Sequence, residues 1–167
     1  LSRIMSEGIF IPEDIDVLLF GGGGEIGALF KETLVGNEVP LFAPPRELID
    51  LHHSEYVKML IEGLKPQMTI NCASYSEEDE ETIRLTNSTV PLNLSQACRD
   101  LDLSWMHIVR EHPVGSSLAK ACEKAIVAIQ NSKSKCYICK MESSPEEFVA
   151  KCLELKESGK DYGLYEL

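Results

Sequence analysis

The sequence predicts an α/β fold built on a doubly wound parallel sheet, and three observations carry that prediction. Short apolar runs alternate with segments of helical period, the pattern of parallel strands joined by crossover helices. One apolar run, ending at Phe20, passes directly into Gly21, Gly22, Gly23, Gly24, Glu25, Ile26 and Gly27 and then into a helical pattern. No linker or internal repeat divides the 167 residues, and that length suits one hydrophobic core rather than two. Residues 1–14 are expected to be an N-terminal extension, and residues 15–167 a single domain.

Taken in order, strands are expected at residues 16–20, 38–43, 68–73, 104–109, 135–141 and 163–167. The helix over residues 24–35 presents Ile26, Leu29, Phe30, Thr33 and Leu34 on one stripe, and residues 55–65 present Tyr56, Met59, Leu60 and Leu64; both stripes suit packing on a sheet. Residues 79–101 keep the helical period through Ile83, Asn87, Val90, Leu94, Ala97, Cys98 and Leu101, with a bend expected at Pro91, which lacks a backbone donor. Residues 117–131 repeat the period through Leu118, Ala121, Cys122, Ala125, Ile126 and Ile129. Pro145 opens the last helix, where its missing N–H costs nothing, ahead of Phe148, Val149, Cys152 and Leu153.

Composition narrows the function classes. The hydrophobic share is 44% and the charged share 26%, ordinary values for a soluble domain, and no run approaches the roughly 18 apolar residues of a membrane helix. A formal net charge of −11 disfavours nucleic acid and anionic membranes, whose phosphates require clustered Lys and Arg. Cys72, Cys98, Cys122, Cys136, Cys139 and Cys152 sit mostly in apolar segments and read as reduced core thiols of an intracellular, cytoplasmic chain. Cys136 and Cys139 have metal-like spacing, but on a strand residues three apart face opposite sides. His52 and His53 beside Asp50 read as a surface loop without a third ligand, and His107 as a core histidine, so no metal is expected. The acids Glu77, Glu78, Asp79, Glu80 and Glu81 suit either a helix N-terminus or a docking surface for a basic partner.

The glycine run is the chemical signal. Gly21, Gly24 and Gly27 fall at GxxGxxG spacing between strand and helix, which serves a tight turn, close backbone approach to a pyrophosphate and close helix–strand packing. The helix N-terminus then presents free N–H groups and the positive end of a dipole. This is a Rossmann fingerprint. Glu25 is either a first-turn acid or an awkward carboxylate beside the pyrophosphate. No acid stands at the tip of the second strand to take a ribose hydroxyl, whereas Arg46 follows it closely and suits a 2′-phosphate. NADP is therefore expected over NAD.

With these residues in view, the stretch from Val17 to Ile108 resembles the dTDP-4-dehydrorhamnose reductase family, an extended short-chain dehydrogenase/reductase group that includes the regulatory beta subunit of methionine adenosyltransferase. The carrying segments are VLLFGGGGEIG, RELIDL, LKPQMTINCASYS, RLTNSTVPLNLSQAC with Asn87, and LSWMHI, followed by SPEEFVAKCLELKESG and GLYEL. The resemblance implies Gly21, Gly24, Glu25, Ile26 and Gly27 at the pyrophosphate, Asp50 and Leu51 on the adenine side, and Cys72, Ala73, Ser74 and Tyr75 along the ribose and nicotinamide.

The departures from the family bear on activity. Where the family carries an STDYVF-like segment, this chain reads Val109, Arg110, Glu111, His112, Pro113. Lys120 can fill the place of the family's active lysine, but the residue four earlier is Ser116 instead of tyrosine. An alcohol is a far weaker acid than a phenol of pKa about 10, so the usual proton donor is missing. Almost nothing between Met141 and Ser144 remains of the region that builds the family's substrate lobe. The expected fold is thus a Rossmann domain lacking most of that lobe. The expected function is a catalytically inactive binding or regulatory subunit, with NADP as possible cofactor and a protein partner or second copy. The alternatives are an NADPH-dependent keto-sugar nucleotide reductase and a structural domain with a vestigial cleft.

Overall fold

The computed structural model describes residues 5, 8, 9, 11–74 and 79–167. Its strands are β1 (Val17–Phe20), β2 (Leu41–Phe42), β3 (Met68–Asn71), β4 (Ser104–Val109), β5 (Cys136–Lys140) and β6 (Gly163–Glu166). They form one sheet in the order β2-β1-β3-β4-β5-β6. Every pairing is parallel, in registers such as Val17 with Met68 and Trp105 with Cys136. Winding reverses between β1 and β3, so the sheet is doubly wound in the Rossmann manner and a crevice opens at the carboxyl ends of those two strands.

The helices are α1 (Glu25–Gly36), α2 (Ser54–Leu64), α3 (Glu80–Arg84), α4 (Val90–Leu101), α5 (Ser117–Ser132) and α6 (Pro145–Ser158). Alternate strand residues separate the core into two layers. Leu18, Phe20, Trp105 and Ile138 pack with Leu60 and Ile61 of α2, Leu94 of α4 and Ile129 of α5. Val17, Leu19, Ile70 and Tyr137 pack on the other side with Phe30 and Leu34 of α1 and Phe148 and Cys152 of α6. All four β1 residues are fully buried, as a central parallel strand covered on both faces requires. Cys136 and Cys139 fall in opposite layers, as their spacing on β5 predicts.

Two elements differ from expectation. The second strand is only two residues long: Glu38 adopts φ 57°, outside the β region, and Pro40 supplies no ladder donor. The helix expected over residues 79–101 is continuous, but Leu85–Thr89 is a π-helical turn between α3 and α4. That wider turn immediately precedes Pro91, whose ring would otherwise press on the Asn87 carbonyl. Of the acidic run, Asp79 caps α3 by accepting from the Thr82 N–H; Glu77 and Glu78 lie outside the described residues.

The link between β5 and α6 is short. Met141 N–H donates to the Val109 carbonyl at 2.9 Å and Glu142 N–H to the Leu167 carbonyl at 2.6 Å, and the Ser144 side chain then caps α6. No helix among the described residues is long and apolar enough to cross a membrane.

Candidate functional site

The glycine loop occupies the crevice between β1 and β3, and its geometry explains the glycine spacing. Gly21 has φ +80°, and a Cβ there would stand 2.5 Å from the Ala73 nitrogen. A Cβ on Gly27 would meet the Gly21 carbonyl oxygen at 1.9 Å, so only glycine lets α1 sit this close to the loop. Gly24 is different: the nearest atom to its Cβ position is 3.7 Å away. The chain itself does not require glycine there, whereas a group approaching the backbone from outside would. Gly24 is also the N-cap of α1 and makes no side-chain capping bond; serines cap α5 and α6. The first N–H groups of α1 are therefore left for water or an anion.

A cleft of about 590 Å³ opens in front of this loop, a volume typical of sites for cofactors and other small molecules. Of the residues the sequence nominates, Gly21, Gly24, Arg46, Leu51, Cys72, Ala73 and Ser74 line it. Lys31 also lines it, and sequence reasoning missed this residue. The signal was present, because Lys31 follows Gly24 by two helical turns and so lies on the same side of α1. Thr86, from the π-helical turn, is a second lining residue that was not nominated. Its hydroxyl lies 3.3 Å from His52 Nε2, tying that turn to the loop beneath the cleft.

Other nominated residues lie elsewhere. Ile26 is buried in the α1 core layer, and Gly27 serves packing rather than contact. The Asp50 carboxylate accepts from the His52 N–H at 3.0 Å and lies 3.5 Å from His52 Nδ1 and 3.3 Å from His53 Nε2; it organises its own loop and does not line the cleft. Tyr75 lies outside the described residues. Glu25 is exposed at the mouth of the loop, where Arg110 Nη2 stands 3.4 Å from its Oε2. The carboxylate that looked awkward beside a pyrophosphate is thus partly neutralised by a residue 85 positions away.

At the β3 and β4 end, Asn71 Nδ2 lies 3.2 Å from His107 Nδ1 while its Oδ1 accepts from the Ala73 N–H at 3.1 Å. Burial holds the His107 pKa down to about 4, so this imidazole is neutral and structural. Burial, reinforced by nearby Cys139, raises the Cys72 pKa, which keeps the cleft-wall thiol protonated and unreactive. Burial raises Cys122 to about 11, with Glu123 adding to the effect.

Ser116 and Lys120, which the sequence sets against the family's catalytic pair, do not line the cleft. The Ser116 hydroxyl accepts from the Ala119 N–H at 3.1 Å as the cap of α5. Lys120 is exposed on that helix.

Comparison with known proteins agrees with the fold. The probable low-salt glycan biosynthesis reductase Agl14 of Haloferax volcanii is 28% identical over 102 residues, covering 52% of this chain and 34% of that protein. The chain thus spans about a third of that relative's length. Among solved structures, a dTDP-4-dehydrorhamnose reductase from Clostridium acetobutylicum superposes with a TM-score of 0.78 at 16% identity, covering 90% of this chain and 73% of that one. The Bacillus anthracis dTDP-4-dehydrorhamnose reductase, solved in complex with NADP, gives 0.78 at 14% identity, covering 93% and 75%. Bordetella bronchiseptica WbmH, in complex with NAD+, gives 0.75 at 14% identity, covering 92% and 75%. The family described as RmlD substrate binding domain matches residues 15–111. That span runs from the start of β1 through the glycine loop to the residues just after β4, more than half of the sequence, and the chain belongs to this family.

Proposed function

We propose that the cleft binds a nicotinamide dinucleotide, NADP in preference to NAD, and that the chain works as a catalytically inactive binding or regulatory relative of the family's reductases. The observation that carries the binding is the space left at Gly24 in front of an uncapped helix N-terminus, the place where a pyrophosphate gains most from backbone N–H groups. The residues present fit the group: Gly21 to Gly24 would receive the pyrophosphate, and Lys31 and Arg46, with Glu47 also in the lining, offer cations in the same cleft to a 2′-phosphate. Bound NADPH would supply a hydride. What this chain adds on the acceptor side is poor, because Ser116 is committed to capping α5 and Lys120 lies off the cleft. The short link from β5 to α6 leaves little to close over a substrate, and positioning is a large part of catalysis. A protein partner or a second copy of the chain is the recipient of such a regulatory role.

The comparisons favour a second reading, NADPH-dependent reduction of a keto-sugar nucleotide, because relatives carry reductase names. Two measurements separate the readings. Calorimetric titration should give tighter binding of NADPH than of NADH, with about a tenfold or greater preference lost in Arg46→Ala, as expected for one charged hydrogen bond. No heat with either nucleotide overturns the proposal. NADPH oxidation with a 4-keto deoxysugar nucleotide should stay at the protein-free rate, since loss of a placed acid alone removes about 10²- to 10⁴-fold. Turnover abolished by Lys120→Ala replaces the first reading with the second.

A further inference from the structure

Beside the main cleft, and sharing Cys72, Ala73 and Ser74 with it, lies a small recess of about 30 Å³ at the carboxyl ends of β3 and β4. By its position it adjoins the end of the cleft where the reacting ring of a dinucleotide would lie, so the inference rests on the reading above. Among the described residues its polar lining is Ser74, Asn87, His107, Arg110 and His112, with the Cys122 thiol beside them. In a chain with 27 acidic residues against 16 basic ones, no acid lines this recess among the described residues, and the permanently charged group among them is the Arg110 guanidinium.

The polar groups are set by the fold. The Ser74 hydroxyl donates to Asn87 Oδ1 at 3.1 Å, and Asn87 Nδ2 donates to the Ile83 carbonyl at 3.0 Å, so the π-helical turn fixes both. Burial, and then the charge of Arg110, lower the pKa of His112, which leaves a neutral ring able to offer one N–H. Arg110 comes from the tip of β4, and Glu25 holds it at the rim through a single contact of 3.4 Å. Both partners of that pair are well exposed, a setting in which an ion pair is weak and easily exchanged.

We infer that this recess takes the carboxylate of a small-molecule ligand bound next to the dinucleotide, and that the ligand displaces Glu25 from Arg110. Guanidinium matches carboxylate as a planar two-point donor. The recess is small: at about 10–15 Å³ for each water-sized oxygen, its volume of about 30 Å³ has room for two or three oxygens. Glu25 already displays the chemistry, since the group found on Arg110 is itself a carboxylate.

The test uses pyruvate as the probe, titrated calorimetrically into the full chain with and without saturating NADPH, after NADPH affinity has been measured for every variant. Glu25→Gln frees Arg110 and should tighten pyruvate binding several-fold. Arg110→Gln should weaken it by about tenfold or more, the scale of one charge-assisted hydrogen bond, and Arg110→Lys should fall between. Thermal midpoints close to that of the wild type show that the variants fold. Equal pyruvate affinity in the wild type and Arg110→Gln overturns the inference. Inorganic phosphate binding as tightly as pyruvate, with the same dependence on Arg110, overturns the carboxylate assignment. Failure of NADPH to bind any variant sinks the dinucleotide reading instead, and the NADPH-free titrations still decide the recess.

Discussion

Replacing Gly27 by alanine would place a methyl group 1.9 Å from the Gly21 carbonyl oxygen and 2.9 Å from Gly22 Cα. These neighbours are backbone atoms of the loop, so no side-chain rotation relieves the contact. Reaching even 3.0 Å from the oxygen requires a shift of about 1.1 Å, which α1 or the loop must make against a packed core. Overpacking of this kind costs about 1–3 kcal/mol, and a backbone clash belongs at the upper end. For a domain of this size that is a fall in Tm of about 6–12 °C. Gly24→Ala is the matched control. Its Cβ meets nothing closer than 3.7 Å and its φ of −82° suits alanine, so only the weaker N-cap preference of alanine is felt, within about 1 kcal/mol. The two variants therefore divide stability from binding. Differential scanning calorimetry should show a large loss for Gly27→Ala and a small one for Gly24→Ala, whereas NADPH titration should show a loss of about tenfold or more for both. Wild-type NADPH affinity in Gly24→Ala would refute the assignment of that glycine to a ligand, and an unchanged Tm in Gly27→Ala would refute the packing argument.

Three further outcomes follow from the same geometry. The unfolded His107 has an ordinary pKa near 6.5, and the folded pKa is about 4, so the unfolded chain binds the extra proton between those values. Stability from this residue is complete above about pH 6.5 and falls as pH drops towards 4; urea unfolding should show a loss of about 2 kcal/mol between pH 7 and 5 that His107→Gln lacks, and equal losses in both proteins would refute the assignment. Ser116→Ala removes the α5 cap and should cost about 1 kcal/mol, or 2–4 °C in Tm, with NADPH affinity unchanged; an unchanged Tm would mean that the serine has another task. Thiol labelling of the native protein at pH 8 should be confined to the partly exposed Cys72 and Cys122 and slow even there, since burial raises both pKa values, and rapid labelling of Cys98, Cys136, Cys139 or Cys152 before denaturation would contradict the packing.

The central layer of the molecule was legible because its constraints act through local chemistry. A left-handed residue at Gly21 and a backbone contact at Gly27 demand glycine, and the alternation of short apolar runs with helical patterns reports which segments form the sheet and which cover it. The second strand was over-read because its apolar pattern hides a positive φ at Glu38, a choice made by the turn after α1 rather than by propensity. Pro91 announces a disturbance in the helix but not its form; the π-helical turn carries contacts from Asn87 to Ser74 and from Thr86 to His52, partners distant in sequence. The Glu25 to Arg110 pair had no sequence signal. It exists because β1, β3 and β4 are neighbours in the sheet and bring their carboxyl ends together.

The link from β5 to α6 has an engineering meaning. Its ends are anchored on opposite sides of a four-residue crossing, by the Val109 and Leu167 carbonyls at the start and the Ser144 cap at the finish. Inserted sequence at Ser143 would emerge at the carboxyl edge of the sheet without unpairing a strand, and each doubling of its length costs only about 0.6 kcal/mol in loop closure. The position is a natural socket. A foreign module grafted there would leave the chain at the same edge of the sheet as the glycine loop and the Arg110 recess, two strands beyond β3, without entering either.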